Sequence, residues 1–157
     1  MTEDFDGMGP GDGIPAGQVY DWYRGARELH DAGDPAAAVQ LLLWAIAAEP
    51  EARSVREALA RAQFDAHEYA DAAVNFAVIV EADPADHYAH FGLGLASSRA
   101  GDLDLAVTHL ALAVALRPDL EHYEQALRGT RAAIVRRDEP FTPPRAEGAD
   151  GGDGVDR

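Results

Sequence analysis

Three stretches of this chain carry one pattern at a fixed spacing. Gly33–Pro50 reads GDPAAAVQLLLWAIAAEP, His67–Pro84 reads HEYADAAVNFAVIVEADP, and Gly101–Pro118 reads GDLDLAVTHLALAVALRP, each 34 residues after the last. A period of this length marks a repeat array, in which no unit buries its apolar face alone and each does so against its neighbours. The period restricts the chain to a stack of small, similar units with atypical ends.

Within each unit the period of the apolar residues is helical. Trp22, Ala26 and Leu29 share one face of a helix over Val19–Asp31. Gly33 then suits a left-handed cap, Asp34 an N-cap and Pro35 the first position of the next helix, which runs to about Glu49 before Pro50. Two antiparallel helices joined by so tight a turn form a hairpin. The same reading gives helices over Arg53–Ala66 and Tyr69–Ala82, then over His87–Ala100 and Leu103–Leu116 with Gly101-Asp102 as the turn. A seventh helix spans about 120–137, with Leu120, Tyr123, Leu127 and Ile134 along one side and polar residues elsewhere, as the open end of a stack requires. The expected fold is all-α: a right-handed α-solenoid of three hairpins, six helices in all, closed by a seventh capping helix. Its repeats cover 19–52, 53–86 and 87–120 within a folded region of 18–137.

The flanks differ in kind. Residues 1–17 hold four acidic residues and no basic one, and residues 138–157 hold six acidic residues and two Arg. Both are rich in Gly, Pro and Asp, so neither buries enough apolar surface to offset the entropy of ordering, and both are expected to be disordered acidic tails. They carry more than half of the net charge of −15. Such a balance disfavours nucleic acid and anionic membrane as partners. The absence of Cys excludes disulfides and thiolate metal sites. No apolar run reaches the ~18 residues of a membrane helix, and the acidic N-terminus does not resemble a signal peptide. A cytoplasmic location is the expectation.

These residues resemble the tetratricopeptide repeat (TPR) family over 19–137. Its 34-residue pattern has small residues at positions 8, 20 and 27, a large one at 24 and Pro at 32. Here position 8 is Ala26, Ala60 and Gly94; position 20 is Ala38, Ala72 and Ala106; position 24 is Leu42, Phe76 and Leu110; position 32 is Pro50, Pro84 and Pro118. Small side chains at 8, 20 and 27 are expected where helices cross closely. The chain departs from the pattern at position 4 (Trp22, Arg56, His90) and at position 11 (Leu29, Gln63, Ser97), and puts His67-Glu68 where the other repeats have Gly-Asp. The first helix of repeat 2 is therefore expected to be the softest part, its unusual residues available to a ligand.

The resemblance implies a concave groove lined by the first helix of each hairpin. Its positions give Tyr20, Tyr23, Arg24, Arg27, Glu57, Arg61, Phe64, Tyr88, Phe91, Leu95 and Arg99 as partner-binding residues, with His30, Asp31, Ser54, Asp65 and Ser98 at the remaining groove positions. Tyr, Phe and Arg in this number suit an extended or helical peptide of acidic character. The competing reading makes Tyr20 and Tyr88 packing residues and the Arg a face salt-bridged to Asp31, Glu57 and Asp65. Some relatives bind the C-terminal tails of Hsp70 and Hsp90 through a clamp of Lys and Asn. The corresponding positions here are Tyr23, Arg27, Ala58, Tyr88 and Gly92, so that tail is not an expected partner. The outer face of the second helices is unusually apolar, and Leu43, Trp44, Val78 and Leu112 mark a second, convex surface for a partner or for self-association.

No chemistry-bearing motif accompanies these features. His87 and His90 share a helix and His122 falls one repeat after Tyr88, without thiols or converging carboxylates to complete a metal site. Gly92 and Gly94 lie inside a helical pattern and suit close packing. The expected function is a non-catalytic protein–protein adaptor or scaffold without cofactor or metal. The alternatives are a secretion-type or assembly chaperone shielding an apolar client segment, and a non-catalytic accessory subunit of an enzyme complex.

Overall fold

A computed structural model of the chain describes residues 16–140. Both acidic tails lie for the most part outside the described residues. Among the described residues seven α-helices follow one another: α1 (Ala16–Asp31), α2 (Pro35–Ala48), α3 (Arg53–Asp65), α4 (Tyr69–Ala82), α5 (His87–Ala100), α6 (Leu103–Leu116) and α7 (Glu121–Asp138). Each packs mainly on its neighbours in sequence, as hairpins do in a stack. The first helix starts at Ala16, so Ala16 and Gly17, expected in the disordered tail, are helical. At the other end Asp138, also assigned to a tail, completes the last turn of α7.

The turns show why the elements begin and end where they do. Gly33 and Gly101 take φ of 87° and 94°, the left-handed region that glycine enters without a Cβ penalty. Asp34, Asp86 and Asp102 each accept a hydrogen bond from a backbone N–H three residues on, which satisfies a donor otherwise orphaned in the first helical turn. Repeat 2 lacks these devices. His67 holds a positive φ of 64°, and neither Ala52 nor Glu68 provides a side-chain cap.

The core is a run of clusters along the stack. Ala26, Ala38, Leu42 and Ala45 pack with Val55 and Leu59, and Ala60, Ala72, Phe76 and Ile79 with Ala89, Leu93 and Ala96. Beyond them Ala106, Leu110 and Ala113 are buried, as are Tyr123 and Leu127 of α7. The small position 8 of repeat 3 is fully closed, since a Cβ on Gly94 would lie 2.6 Å from Leu110 Cγ, and position 6 is as tight, a Cβ on Gly92 lying 2.5 Å from the Phe76 ring. Position 27 departs from the small-residue expectation in repeat 2, where Ile79 is buried in a cluster to which α5 contributes the small Ala89 and Ala96.

Arg56 and Gln63 of repeat 2 and His90 of repeat 3 bond inside the stack, not to the groove, while Ser97 is buried with no hydrogen-bond partner for its hydroxyl among the described residues. Arg56 donates to Asn75 Oδ1 at 3.0 Å and to the Pro50 carbonyl at 2.7 Å, and Asn75 donates to Gln63 Oε1 at 2.8 Å. In the next repeat His90 Nε2 lies 3.0 Å from the Pro84 carbonyl, and its Nδ1 lies 2.9 Å from His109 Nδ1. The expectation that the unusual residues of the first helix of repeat 2, Arg56 and Gln63, are available to a ligand is therefore corrected. They are internal partners, with a position-4 side chain joining the preceding turn to the second helix of its own hairpin.

Candidate functional site

Helices α1, α3 and α5 present one face each to a continuous trough. It is made of three open depressions that share residues. The first, of about 240 Å3, is bounded by Tyr20, Tyr23, Arg24, Arg27, Glu28 and Asp31 of α1. The second, of about 330 Å3, lies between α1 and α3 and is lined by Tyr23, Arg27, His30, Asp31, Ser54, Glu57, Ala58 and Arg61. The third, of about 240 Å3, lies between α3 and α5 and is lined by Arg61, Phe64, Asp65, Phe76, Tyr88, Phe91, Gly92 and Leu95. The structure thus brings together the groove residues read from the sequence except Ser98 and Arg99, which line none of the three.

The trough is chemically divided. Its α1–α3 half is polar and charged, and its α3–α5 half is aromatic and aliphatic with Arg61 at the junction. Arg27 and Arg61 are exposed, and among the described residues neither has a carboxylate within 4.0 Å. Asp65 pairs instead with His30, at 2.6 Å. Arg24 sits 3.9 Å from Asp21 and 4.0 Å from Glu28, exposed pairs that hold a side chain only weakly.

The aromatic half is partly preorganised. Phe91 stacks on Tyr123 of α7 with ring centroids 4.2 Å apart, and Tyr88 meets the edge of Phe76 at 6.3 Å. Burial pushes the Tyr88 hydroxyl above the ordinary tyrosine value; Arg61 opposes this, while Glu57 and Asp65 add to it. Tyr88 therefore enters the trough as a neutral hydroxyl at physiological pH. Tyr20, in contrast, is 64% exposed. Phe76 and Gly92 were not among the residues read as binding from the sequence. Phe76 belongs to the core position of a second helix, and its ring edge reaches the trough because Gly92 leaves room for it. A Gly at a helical position beside that Phe was the available signal.

On the opposite side Leu43, Trp44, Val78 and Leu112 are all exposed, between 38% and 48%. Trp44 also has a structural role that the repeat pattern did not suggest, since its ring centroid lies 5.9 Å from that of Trp22. The three noted histidines are held by aromatic neighbours, His87 and His122 both against Tyr123. His87 Nδ1 contacts Tyr123 Oη at 2.9 Å, His90 contacts His109, and His122 meets the edge of Phe91. Among the described residues no group of three or more His, Asp or Glu converges as a metal ion would require. No described helix is long and apolar enough to cross a membrane.

No protein-family profile matches the sequence, and no curated protein matches it. Solved structures do match its fold. The first TPR domain of Spaghetti (RPAP3), bound to the HSP90 peptide SRMEEVD, is 17% identical with a TM-score of 0.70, over 80% of this chain and 99% of that one. The second TPR domain of human RPAP3, in complex with the HSP70 peptide SGPTIEEVD, is 18% identical with a TM-score of 0.68, over 75% and 98%. MamA from Desulfovibrio magneticus RS-1, from residue 41 to its end, is 23% identical with a TM-score of 0.72, over 74% of this chain and 66% of that one. At these identities the likeness establishes the fold.

Proposed function

On a tetratricopeptide repeat fold with this trough, we propose that the chain is a non-catalytic adaptor holding a segment of another protein across α1, α3 and α5. The observation that carries the reading is Arg27 and Arg61, exposed in the trough without carboxylate partners among the described residues, beside an aromatic depression. The segment places acidic residues on the two guanidiniums and one large apolar side chain among Phe64, Tyr88, Phe91 and Leu95. The RPAP3 domains support this in kind, since the peptides bound to them are acidic.

The mode of holding differs from capture of a free C-terminal carboxylate. A side chain at Gly92, one of the clamp positions, would run into the Phe76 ring, and Ala58 and Tyr88 offer no cation. The segment is therefore internal, not a chain end, and the Hsp70 and Hsp90 tails are not its source. Fluorescence anisotropy tests both points. An acidic peptide with one Phe should bind equally well as the free acid and as the C-terminal amide, and Arg27→Glu with Arg61→Glu should weaken it by about 2–5 kcal/mol. Unchanged affinity in the double variant would move the site elsewhere.

The apolar α3–α5 half favours a second reading, a chaperone that shields an apolar client segment. Its discriminator is a client that stays soluble only when co-expressed with this chain. Self-association through the convex stripe is a separate proposal. Sedimentation of the wild type against Leu112→Glu, which leaves the Trp22–Trp44 pair intact, decides it: two identical monomers overturn it.

A further inference from the structure

We infer that the trough takes residues 3–6 of its own chain, Glu3-Asp4-Phe5-Asp6, as a resident ligand that an external partner must displace. This rests on the groove reading above and names the occupant of the same site. The segment has the composition that the trough complements: one aromatic residue flanked on both sides by carboxylates. Phe5 matches the apolar depression of Phe64, Tyr88, Phe91 and Leu95, and the acids match Arg27 and Arg61, which have no other carboxylate partner among the described residues. Both elements of the match are needed, and the other terminal segment lacks the combination. Phe141 has carboxylates on one side only, Asp138 and Glu139 at the end of α7, of which Asp138 already accepts from Arg137, and the acids at Glu147, Asp150, Asp153 and Asp156 have no aromatic beside them.

The geometry permits it. Residues 6–15 separate Phe5 from the start of α1, and extended chain spans about 3.3–3.6 Å per residue, so the tether reaches roughly 33 Å. Neighbouring helices lie about 8–10 Å apart, so α5 stands roughly 20 Å from α1 across the trough. Tyr20 and Tyr23, one to two turns into α1, already line the trough's first depression, so the tail begins at its mouth. A tether of this length gives an effective concentration of order millimolar, enough to populate contacts that are weak in trans. The charge pairs are exposed, so occupancy falls with added salt.

The chain has no Cys, so Thr2→Cys accepts a single nitroxide in the 157-residue chain. Amide relaxation should rise at Phe64, Tyr88 and Leu95, which lie across the trough from the tether, and not merely in the first turn of α1. The effect should be unchanged on tenfold dilution and should disappear in Asp4→Lys with Asp6→Lys, and in Arg61→Glu. In the Asp4→Lys, Asp6→Lys protein, an external peptide of residues 1–13 should bind severalfold more tightly than in the wild type. Relaxation confined to the start of α1 overturns the inference, and so does relaxation that grows with concentration, which would mean a second copy's tail. If relaxation is silent at α5 while the peptide still binds in an Arg61-dependent way, the resident ligand is refuted and the groove survives. If neither occurs, both readings fail.

Discussion

His67 holds a backbone torsion that its side chain opposes. At φ of 64° a residue with a Cβ lies about 1–2 kcal/mol above glycine, and the sister turns use Gly33 and Gly101. His67→Gly should therefore stabilise the protein by about 0.5 kcal/mol in urea unfolding, after the greater freedom of glycine in the unfolded chain and the lost exposed contact of the imidazole with Tyr69 Oη are set against it. His67→Ala should destabilise, since it keeps the torsion and loses the 2.6 Å contact of Nδ1 with Tyr69 Oη. Two other residues tie stability to pH. Burial, and then the neighbouring His90, hold the His109 imidazole below its ordinary value. Its folded form binds protons less readily than its unfolded form, so the stability it contributes is complete above about pH 6.5 and falls as pH drops through that value. His109→Gln should flatten the profile on that flank, as read by urea midpoints at a series of pH values. Asp119 responds at lower pH. The bidentate Arg117 guanidinium, at 2.8 and 2.7 Å, lowers its carboxyl to about 2. A carbon-detected NMR titration should place it there and return it towards 3.8 in Arg117→Ala. Stability from this pair is present above the unfolded value and declines as pH falls through the folded one.

At the level of the helix pair, what could be read from the sequence divides by kind of interaction. The helices, their turns and the closed small positions follow from local chemistry: Gly at a left-handed cap, Asp at an N-cap, Ala or Gly where backbones meet. These are signals in single residues, and α5 and α6 begin where they indicate. The pairing of Arg56 with Asn75 and of His90 with His109 was not legible, because each partner alone reads as a departure from the repeat. The 19-residue separation that unites them has meaning only once the hairpin is closed. The same limit hid Phe76 from the groove and the tilted contact of Trp22 with Trp44. Asn75→Ala tests the network: it strands the Oε1 of Gln63, which is 4% exposed, and should cost about 1–3 kcal/mol. Gly92→Ala tests the contact beneath the trough. Its Cβ at 2.5 Å from the Phe76 ring should cost roughly 1–3 kcal/mol. Phe76→Leu should then be less harmful in that background than in the wild type, because the two residues share one space.

Across the whole array, stability should be uneven in a way that follows the repeats. A stack of this kind behaves as units joined by nearest-neighbour interfaces, so one weak unit sets where it opens. Repeat 2 is that unit: it lacks side-chain caps at Ala52 and Glu68 and carries the His67 torsion. A missing cap is worth about 1 kcal/mol. The Arg56–Asn75–Gln63 bonds and the tie of Arg53 to Asp83 and Asp86 across the α4–α5 turn offset part of this. Exposed ion pairs such as the latter recover little, so a net deficit on the order of 1–2 kcal/mol remains against repeat 3, whose helices begin at Asp86 and Asp102 and turn at Gly101. Since 1.4 kcal/mol is tenfold in an equilibrium constant, native-state hydrogen exchange should show amides of α3 and α4 opening roughly tenfold more often than those of α5 and α6. The same experiment on His67→Gly separates two mechanisms. If repeat 2 opens by itself, protection rises in α3 and α4 and leaves α6 and α7 as they were. If the array opens as one body, every slow amide gains the same factor. The first outcome is expected, because the buried clusters along the stack are distinct and α7 closes the far one with Tyr123 and Leu127. It would also mean that the trough, whose middle wall is α3, is firm on its α5 side and yielding where Arg61 meets a partner.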